Sequence, residues 1–381
     1  GYGLISPVLP RFAKSFDVSV TATTFIFSAF ALCRLVFAPA GGSLVTRFGE
    51  RPVYLLGLAI VTVSTALSAV AGSYWQLLGF RSFGGIGSTL FTVSAIGLIV
   101  RLSPPDIRGR VSSAYASAWL FGGISGPLLG GQLARFGLRA PFLVYAVMLL
   151  IAMLVVAMLL PASSLRPAEG VRALVPMPLR EALRDSAYRA GLVSGFANGW
   201  SNFGVRIALV PLFVTAILHG TDSDTGNAIA IFGVGNGLFL FGSGRLADRL
   251  GRRPLIISGL VVSGVLTVAV AWVASVPGFY LVSFVAGAGV GLFNPAQQAV
   301  VADVVGPHRG AGQVVPPYQM AGDFGAIIGP LVAGRIVDSS SYETAFAVSG
   351  LIVIAGAIPW WFARETLVSR ARPPREPLGL G

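Results

Sequence analysis

The chain repeats itself. Gly42-Ser43-Leu44-Val45-Thr46-Arg47-Phe48-Gly49-Glu50-Arg51-Pro52 matches Gly244-Arg245-Leu246-Ala247-Asp248-Arg249-Leu250-Gly251-Arg252-Arg253-Pro254 at an offset of 202 residues. Gly126-Pro127 matches Gly329-Pro330 at 203, Arg108-Gly109 matches Arg309-Gly310 at 201, and Pro10 matches Pro211 at 201. Gly85 and Gly87 match Gly287 and Gly289 at 202. Chance does not hold this many anchors within two residues of one spacing, so whatever the first half folds into, the second half folds into as well.

What each half contains is set by apolar runs of roughly 20 residues, the length of helix that crosses the hydrocarbon core of a bilayer. They fall at 1–13, 24–44, 53–71, 75–100, 111–134, 141–160, 187–218, 226–244, 254–274, 279–301, 311–335 and 343–363. The first is short and reads as the second part of a span whose beginning lies outside this sequence, not as a signal peptide. The run at 187–218 is long enough to include an interfacial turn. With 54% hydrophobic residues, 11% charged residues and a mean hydropathy of +0.79, the chain cannot be a soluble domain. The expected fold class is an all-α membrane protein of twelve transmembrane helices, arranged as two six-helix repeats. Because six is even, the repeats run parallel. The domains are then a six-helix bundle over 1–160, a polar linker over 161–186, a second bundle over 187–363, and a basic, disordered tail over 364–381.

The net charge of +12 does not indicate nucleic acid, because the basic residues lie between apolar runs and not on one polar domain. Nineteen fall in loops on one side, among them Arg47, Arg51, Arg180, Arg184, Arg245, Arg249, Arg252, Arg253, Arg309 and Arg364. Five (Arg11, Lys14, Arg135, Arg139 and Arg335) fall on the other. The positive-inside rule then places both termini and the linker in the cytoplasm, and the protein in the plasma membrane. The single cysteine, Cys33, sits in an apolar run and reads as an inert buried thiol.

Within the fifth run, Gly122, Gly126 and Gly130 recur every fourth residue, with Pro127 and Gly131 beside them. Lipid tolerates this pattern, because glycine lets helix backbones approach closely and neighbours re-satisfy what proline leaves open. It reads either as ordinary close packing or as a seam between helices that move against each other. Gly329 and Pro330 mark its counterpart in the second half.

These residues resemble the major facilitator superfamily, and within it the twelve-span drug:proton antiporters. The resemblance covers essentially the whole chain. It rests on the two Gly-x-Leu-x-x-Arg-x-Gly-x-Arg segments (Gly42, Arg47, Gly49, Arg51; Gly244, Asp248, Arg249, Gly251, Arg252), on Arg81-x-x-x-Gly85-x-Gly87, and on Gly122-x-x-x-Gly126-Pro127-x-x-Gly130-Gly131. Pro7-x-x-Pro10 in the first span also fits. The last glycine motif resembles what exporters of the family carry. Two positions depart from the pattern: Thr46 stands where an aspartate is usual, which puts the first cytoplasmic latch in doubt, and Gly84 stands where glutamine is common. The family often carries an acidic residue in the first span, where this sequence has none.

Ionisable groups inside spans are costly and so are functional candidates by default. Arg34, Arg81, Arg206 and Asp323 qualify. Asp323 is expected to be a buried carboxylate that carries the coupling proton, or else to be fixed in a salt bridge across the bundle. The resemblance places Arg81 near the proton pathway or its gate. For Arg34 and Arg206, snorkelling to an interface is the alternative to a cavity role. Asn198, Asn202 and Arg206 share one face at i, i+4, i+8 and are expected to line a central cavity. Trp200, Asn236, Asn294, Gln297, Gln298, Tyr318 and Gln319 join them as candidate lining, and Tyr115, Trp119 and Phe121 as an apolar wall. Hydrogen bonding between helices without substrate contact is the competing account of this polar set.

The functional expectation is a proton-coupled exporter of a drug or other small organic molecule, working by alternating access. A specialised exporter of a metabolite, siderophore, sugar or lipid, or a non-transporting sensor, is the alternative. A membrane-embedded enzyme is poorly supported: His219 and His308 are the only histidines and fall in different loops, and no nucleophile, metal or Walker motif is present. No cofactor, metal or nucleic acid is expected. The partners are a small-molecule substrate, protons and the lipid bilayer, and the resemblance implies a monomer. The polar set suits an anionic group as well as a lipophilic cation.

Overall fold

The computed structural model describes residues 2–102, 108–159, 177–306, 309 and 313–367. Most of the predicted linker, the tail beyond Leu367, His308 and Gly310 lie outside the described residues. Every secondary-structure element among the described residues is helical. In order they are α1 (Tyr2–Ile5), α2 (Leu9–Lys14), α3 (Val20–Phe48), α4 (Glu50–Ala69), α5 (Tyr74–Leu102), α6 (Arg108–Leu133) and α7 (Ala140–Leu159). A short α8 (Leu179–Ala182) precedes α9 (Ser186–Asn198), a π-helical turn (Gly199–Val205) and α10 (Arg206–Ala216), which together make one span. Then come α11 (Asp222–Leu250), α12 (Arg252–Ala269), α13 (Val276–Val305), α14 (Val315–Ser339), α15 (Tyr342–Ala355) and α16 (Ile358–Phe362). Each of the twelve apolar runs is helical over most of its described residues. Among the described residues, eight helices are long and apolar enough to cross a membrane by length and composition alone.

The boundaries differ from the apolar runs in an informative way. The Gly42–Phe48 and Gly244–Leu250 segments, expected as loops, are the last turns of α3 and α11. Asp248, expected in a loop, is therefore helical. A helix keeps its hydrogen bonds on leaving the hydrocarbon, so the end of apolar character is not the end of the helix. What stops each one is a glycine: Gly49 has φ 85° and Gly251 φ 104°, values that L side chains rarely adopt. The first span is broken at Ser6-Pro7-Val8, where Pro7 has no N–H to donate. The Ser6 hydroxyl donates to the Gly3 carbonyl at 2.9 Å and the Val8 amide to Ile5 at 3.1 Å.

The repeat seen in sequence recurs in packing. In the first half α1 packs on α6, α3 on α5, α5 on α4 and α4 on α7. In the second, α9 and the π turn pack on α14, α11 on α13, α13 on α12 and α12 on α15. Glycines make these approaches possible. A Cβ on Gly87 would meet the Gly57 carbonyl at 2.8 Å, and one on Gly289 would meet the Gly259 carbonyl at 2.9 Å, the same pair one repeat later. Gly3 lies against the ring of Pro127, and Gly204 against that of Pro330.

Two seams join the halves, α3 with α14 and α6 with α11. Their polar contacts gather at one end. The Asp338 carboxylate accepts from the Val20 and Thr21 amides at 2.9 and 2.8 Å, capping α3 from the other half. Arg11 pairs with Asp222, and the Ser28 hydroxyl donates to the Ile327 carbonyl at 2.6 Å. Further along the same faces the helices part. Ser28 continues to Leu32 and Val36, which are exposed, and Ile327 to Asp323 and Gln319, which are also exposed. On the other seam Gly237 meets Leu120, while Phe241, one turn on, is 70% exposed. The bundles thus close at one end and open into a cleft at the other.

Substituting Gly289→Val should force α12 and α13 apart at a cost of about 1–3 kcal/mol. Thermal unfolding in detergent, followed by loss of the monodisperse peak, measures this. Half-buried Gly244, with no atom within 4 Å of an added Cβ, should accept alanine at little cost.

Candidate functional site

Asp323 occupies the point where α3 and α14 separate. The expected buried carboxylate is instead exposed to the cleft, because Ile327, one turn away, makes the last contact with α3. Arg34 on α3 is the cation whose field reaches it. Among the described residues no carboxylate lies within ion-pair distance of Arg34, so the salt bridge weighed for Asp323 is not formed with it. The Arg34 Nε is buried without a hydrogen-bond partner. Gln319 shares the exposed face with Asp323, and Gln298 on α13 is exposed as well.

The stripe on the seventh span is on one face, as expected; its Arg206 end is buried inside the second bundle, and only its Asn198 end is partly open. Asn202 donates to Asn198 at 2.8 Å, Asn198 to Asn294 at 3.4 Å, and Arg206 through Nε to Asn202 at 3.4 Å. The second guanidinium contact is Nη2 to the Thr267 hydroxyl at 3.5 Å. Asn202 and Arg206 are each 7% exposed, whereas Asn198, Asn294 and Asn236 are half-buried. Arg206 does not snorkel; it lies 4.0 Å from the Phe232 ring centroid. Trp200 and Tyr318, expected as lining, are packing residues. Trp200 donates to Ser349 at 3.2 Å, and Tyr318 lies under Gly191 with its hydroxyl donating to the Gln297 carbonyl at 3.2 Å. Gln297 is buried as well. Aromatic bulk fills the bundle where α9 and α14 carry glycine, which is why the polar atoms of Trp200 and Tyr318 do not reach the cleft. Trp119 and Phe121 are exposed at 64% and 73%, and Tyr115 is half-buried.

Arg81 is 2% exposed, inside the first bundle, with its guanidinium 4.9 Å from the Phe30 ring centroid. Phe30 and Phe232 are themselves 202 residues apart. Each half therefore holds one arginine against the equivalent phenylalanine, from non-equivalent helices, and the ring offers part of the compensation a buried cation needs. Neither phenylalanine was singled out by its chemistry, although the repeat spacing pairs them. Gly84, the departure from the family pattern, leaves room for Ser64, whose hydroxyl donates to the Phe80 carbonyl at 2.6 Å.

The glycine–proline seam is mainly internal to the first half. Gly126 and Gly130 lie against the backbone of α1 at Gly3 and Leu4. Gly131 and the Pro127 carbonyl reach across to Asp222 and Gly226 on α11, and Gly123 and Ile124 reach Gly233. An added Cβ on Gly122 meets nothing within 4 Å, but its carbonyl lies 3.3 Å from where a Cβ on Gly3 would stand, so its backbone belongs to the packed face. Gly329 packs on Trp200 in the second half.

At the open end the arginine motifs tie helix ends together. Arg51 donates to the Ala157 carbonyl at 2.8 Å, and Arg253 donates to Trp361, so each copy holds the end of the sixth helix of its half. Asp248 pairs with Arg252 at 2.5 Å, and Arg252 reaches Asp303 at 3.3 Å. In the first copy Glu50 stands in the register of Arg252, so that latch cannot use the same signs. Arg47 lies over Phe48, its guanidinium 5.2 Å from the ring centroid. Two acids outside the spans complete the end. Glu365 accepts from the Arg252 and Arg253 amides at 2.9 and 3.0 Å, and Asp185 pairs with Arg364 while capping Ala187 at 2.9 Å.

Burial raises the Asp185 and Glu365 pKa values, but more weakly than their hydrogen bonds lower them: Arg364 and the Ala187 amide for the first, four backbone amides for the second. Both carboxyls end below the ordinary carboxylate range. A depressed folded-state pKa gives stability that is present above the unfolded value and lost as pH falls through the folded one. Amide exchange at Ala187 should therefore stay slow from neutral pH down to about pH 4 and accelerate below it. Asp185→Ala, which removes the accepting oxygen, should make that amide fast at neutral pH.

Comparison with known proteins agrees with this architecture. The profile of the Major Facilitator Superfamily matches residues 1–190 and again 191–380. The chain is 26% identical over 373 residues to the multi-drug resistance efflux pump PmrA homolog of Lactococcus lactis, covering 95% of this chain and 90% of that one. It is 25% identical over 343 residues to the quinolone resistance protein NorA of Staphylococcus aureus, covering 89% and 86%. Among solved structures it is similar to a bacterial homolog of the human lysosomal transporter Spinster, in an inward-facing and occupied conformation. There the TM-score is 0.79 at 16% identity, with 94% of this chain and 92% of that one covered. With both bundles matched and the repeat visible in packing, the chain belongs to the Major Facilitator Superfamily and is a multi-pass membrane transporter of small molecules.

Proposed function

We propose that this transporter is a proton-coupled exporter of small organic molecules, moving them across the plasma membrane by alternating access between its two halves. The observation that carries the reading is the position of Asp323, an acidic side chain set at the apex of a cleft that is open at one end and closed at the other. A carboxylate at that point is reached by water from the open end and lies beside the α3–α14 seam that must rearrange when the cleft changes sides.

The direction follows from charge. Arg47, Arg51, Arg245, Arg249, Arg252 and Arg253 all lie at the open end, so the positive-inside rule makes that end cytoplasmic. The cleft then loads from the cytoplasm, and both termini and the linker face it. The relatives named as efflux and resistance proteins support export over import. In this reading Asp323 takes the coupling proton while Arg34 sets the field around it. The protein works as a monomer, since each half closes its own bundle and the cleft lies between them.

Flux in proteoliposomes under an imposed pH gradient tests this. Wild type should show gradient-dependent movement of a dye or drug, and Asp323→Asn should lose the gradient dependence. Equal coupled flux in the mutant removes Asp323 from the proton path. No flux across a broad panel overturns the drug-exporter reading and favours a specialised metabolite or lipid.

A further inference from the structure

Arg206 is a buried cation compensated only by neutral groups. Among the described residues no carboxylate pairs with it. Its two hydrogen bonds, to Asn202 and Thr267, are long at 3.4 and 3.5 Å, and the Phe232 ring supplies the rest. A guanidinium has five N–H donors, and these two long hydrogen bonds occupy only two of them. Its helix also carries a π turn immediately before it, a departure that recurs at functional sites.

The neutral groups are ordered. Arg206 donates to the Asn202 oxygen, the Asn202 NH2 to the Asn198 oxygen, and the Asn198 NH2 to the Asn294 oxygen. Every amide oxygen is turned toward the cation and every NH2 away from it. Exposure rises along the same path, from buried Arg206 and Asn202, through half-buried Asn198 and Asn294, to exposed Gln298 one helical turn beyond Asn294. The chain of amides thus presents the positive charge of Arg206 toward the open end as a row of donors. Across the cleft, the unpartnered Nε of Arg34 adds a second positive group, against the single carboxylate of Asp323.

We propose that this polarised chain is the seat for an acidic group on the transported molecule, so the substrate is an amphipathic organic anion, not a lipophilic cation. The inference rests on the exporter reading for the word substrate, but the binding seat does not.

Two xanthene dyes of nearly the same shape and opposite charge separate the cases. Binding of fluorescein and of rhodamine 123 to the full-length protein in nanodiscs, at mildly alkaline pH, is read by fluorescence anisotropy. Fluorescein should bind more tightly than rhodamine 123, Arg206→Gln should weaken fluorescein by about tenfold, and Arg206→Lys should restore part of the loss. Asn294→Leu, at the half-buried mouth, should weaken the same dye even if the Arg206 variants fold poorly. Preference for rhodamine 123, binding of neither dye, or fluorescein binding indifferent to both Arg206→Gln and Asn294→Leu overturns the proposal. Flux of the same dyes in proteoliposomes keeps the two readings apart. Gradient-driven rhodamine 123 flux with no anion preference leaves the exporter standing and removes the anion seat. Arg206-dependent fluorescein binding without flux of either dye does the reverse.

Discussion

Backbone lying against backbone at glycine is the contact on which this molecule depends. Inside a bilayer, helices gain nothing by hiding apolar surface from lipid that is equally apolar, so cohesion comes from close packing and from hydrogen bonds. The Gly57–Gly87 and Gly259–Gly289 contacts, Gly130 against Leu4 and Gly199 against Gly322 fix how near each pair of helices comes. Once those distances are set, only certain side chains fit the remaining volume. The polar chemistry of the protein is placed by its smallest residues.

Two consequences of that packing shape the site. Each bundle retains one guanidinium in its interior, set against phenylalanines that occupy equivalent places in the repeat but fed from different helices. The bundles are equivalent as frameworks and different as electrostatic objects. Between them, the faces of α3 and α14 run in contact to Ser28 and Ile327 and then separate, leaving Asp323 and Gln319 on the open surface. The one acidic side chain well inside the spans thus belongs to the cleft, and the best-sheltered cations belong to the bundle cores.

The fold was legible in the sequence because duplication and hydropathy are long-range regularities that no single residue can spoil. The spans fell where apolar length required helices, and the repeat of Gly87 at Gly289 carried directly into equivalent contacts. The site was legible only in part. Helical periodicity correctly put Asn198, Asn202 and Arg206 on one face, but periodicity fixes a face relative to its own helix, not the direction in which that helix is turned. The same gap hid the roles of Trp200 and Tyr318, whose burial depends on glycines of neighbouring helices distant in sequence. Asp338, Asp185 and Glu365 were invisible as helix caps because each reaches its partners from a segment far along the chain.

The closed end is held by unlike means on its two sides. On the α3–α14 seam, Asp338 grips backbone amides that no change of side chain on α3 can remove, whereas on the α6–α11 side the corresponding tie is the ion pair of Arg11 with Asp222. Arg11 is 39% exposed on its side chain, so dissolved salt weakens that tie far more than it weakens the amide grip. Ionic strength therefore acts on the two seams unequally, loosening the ion-paired edge while the amide-held edge keeps its grip.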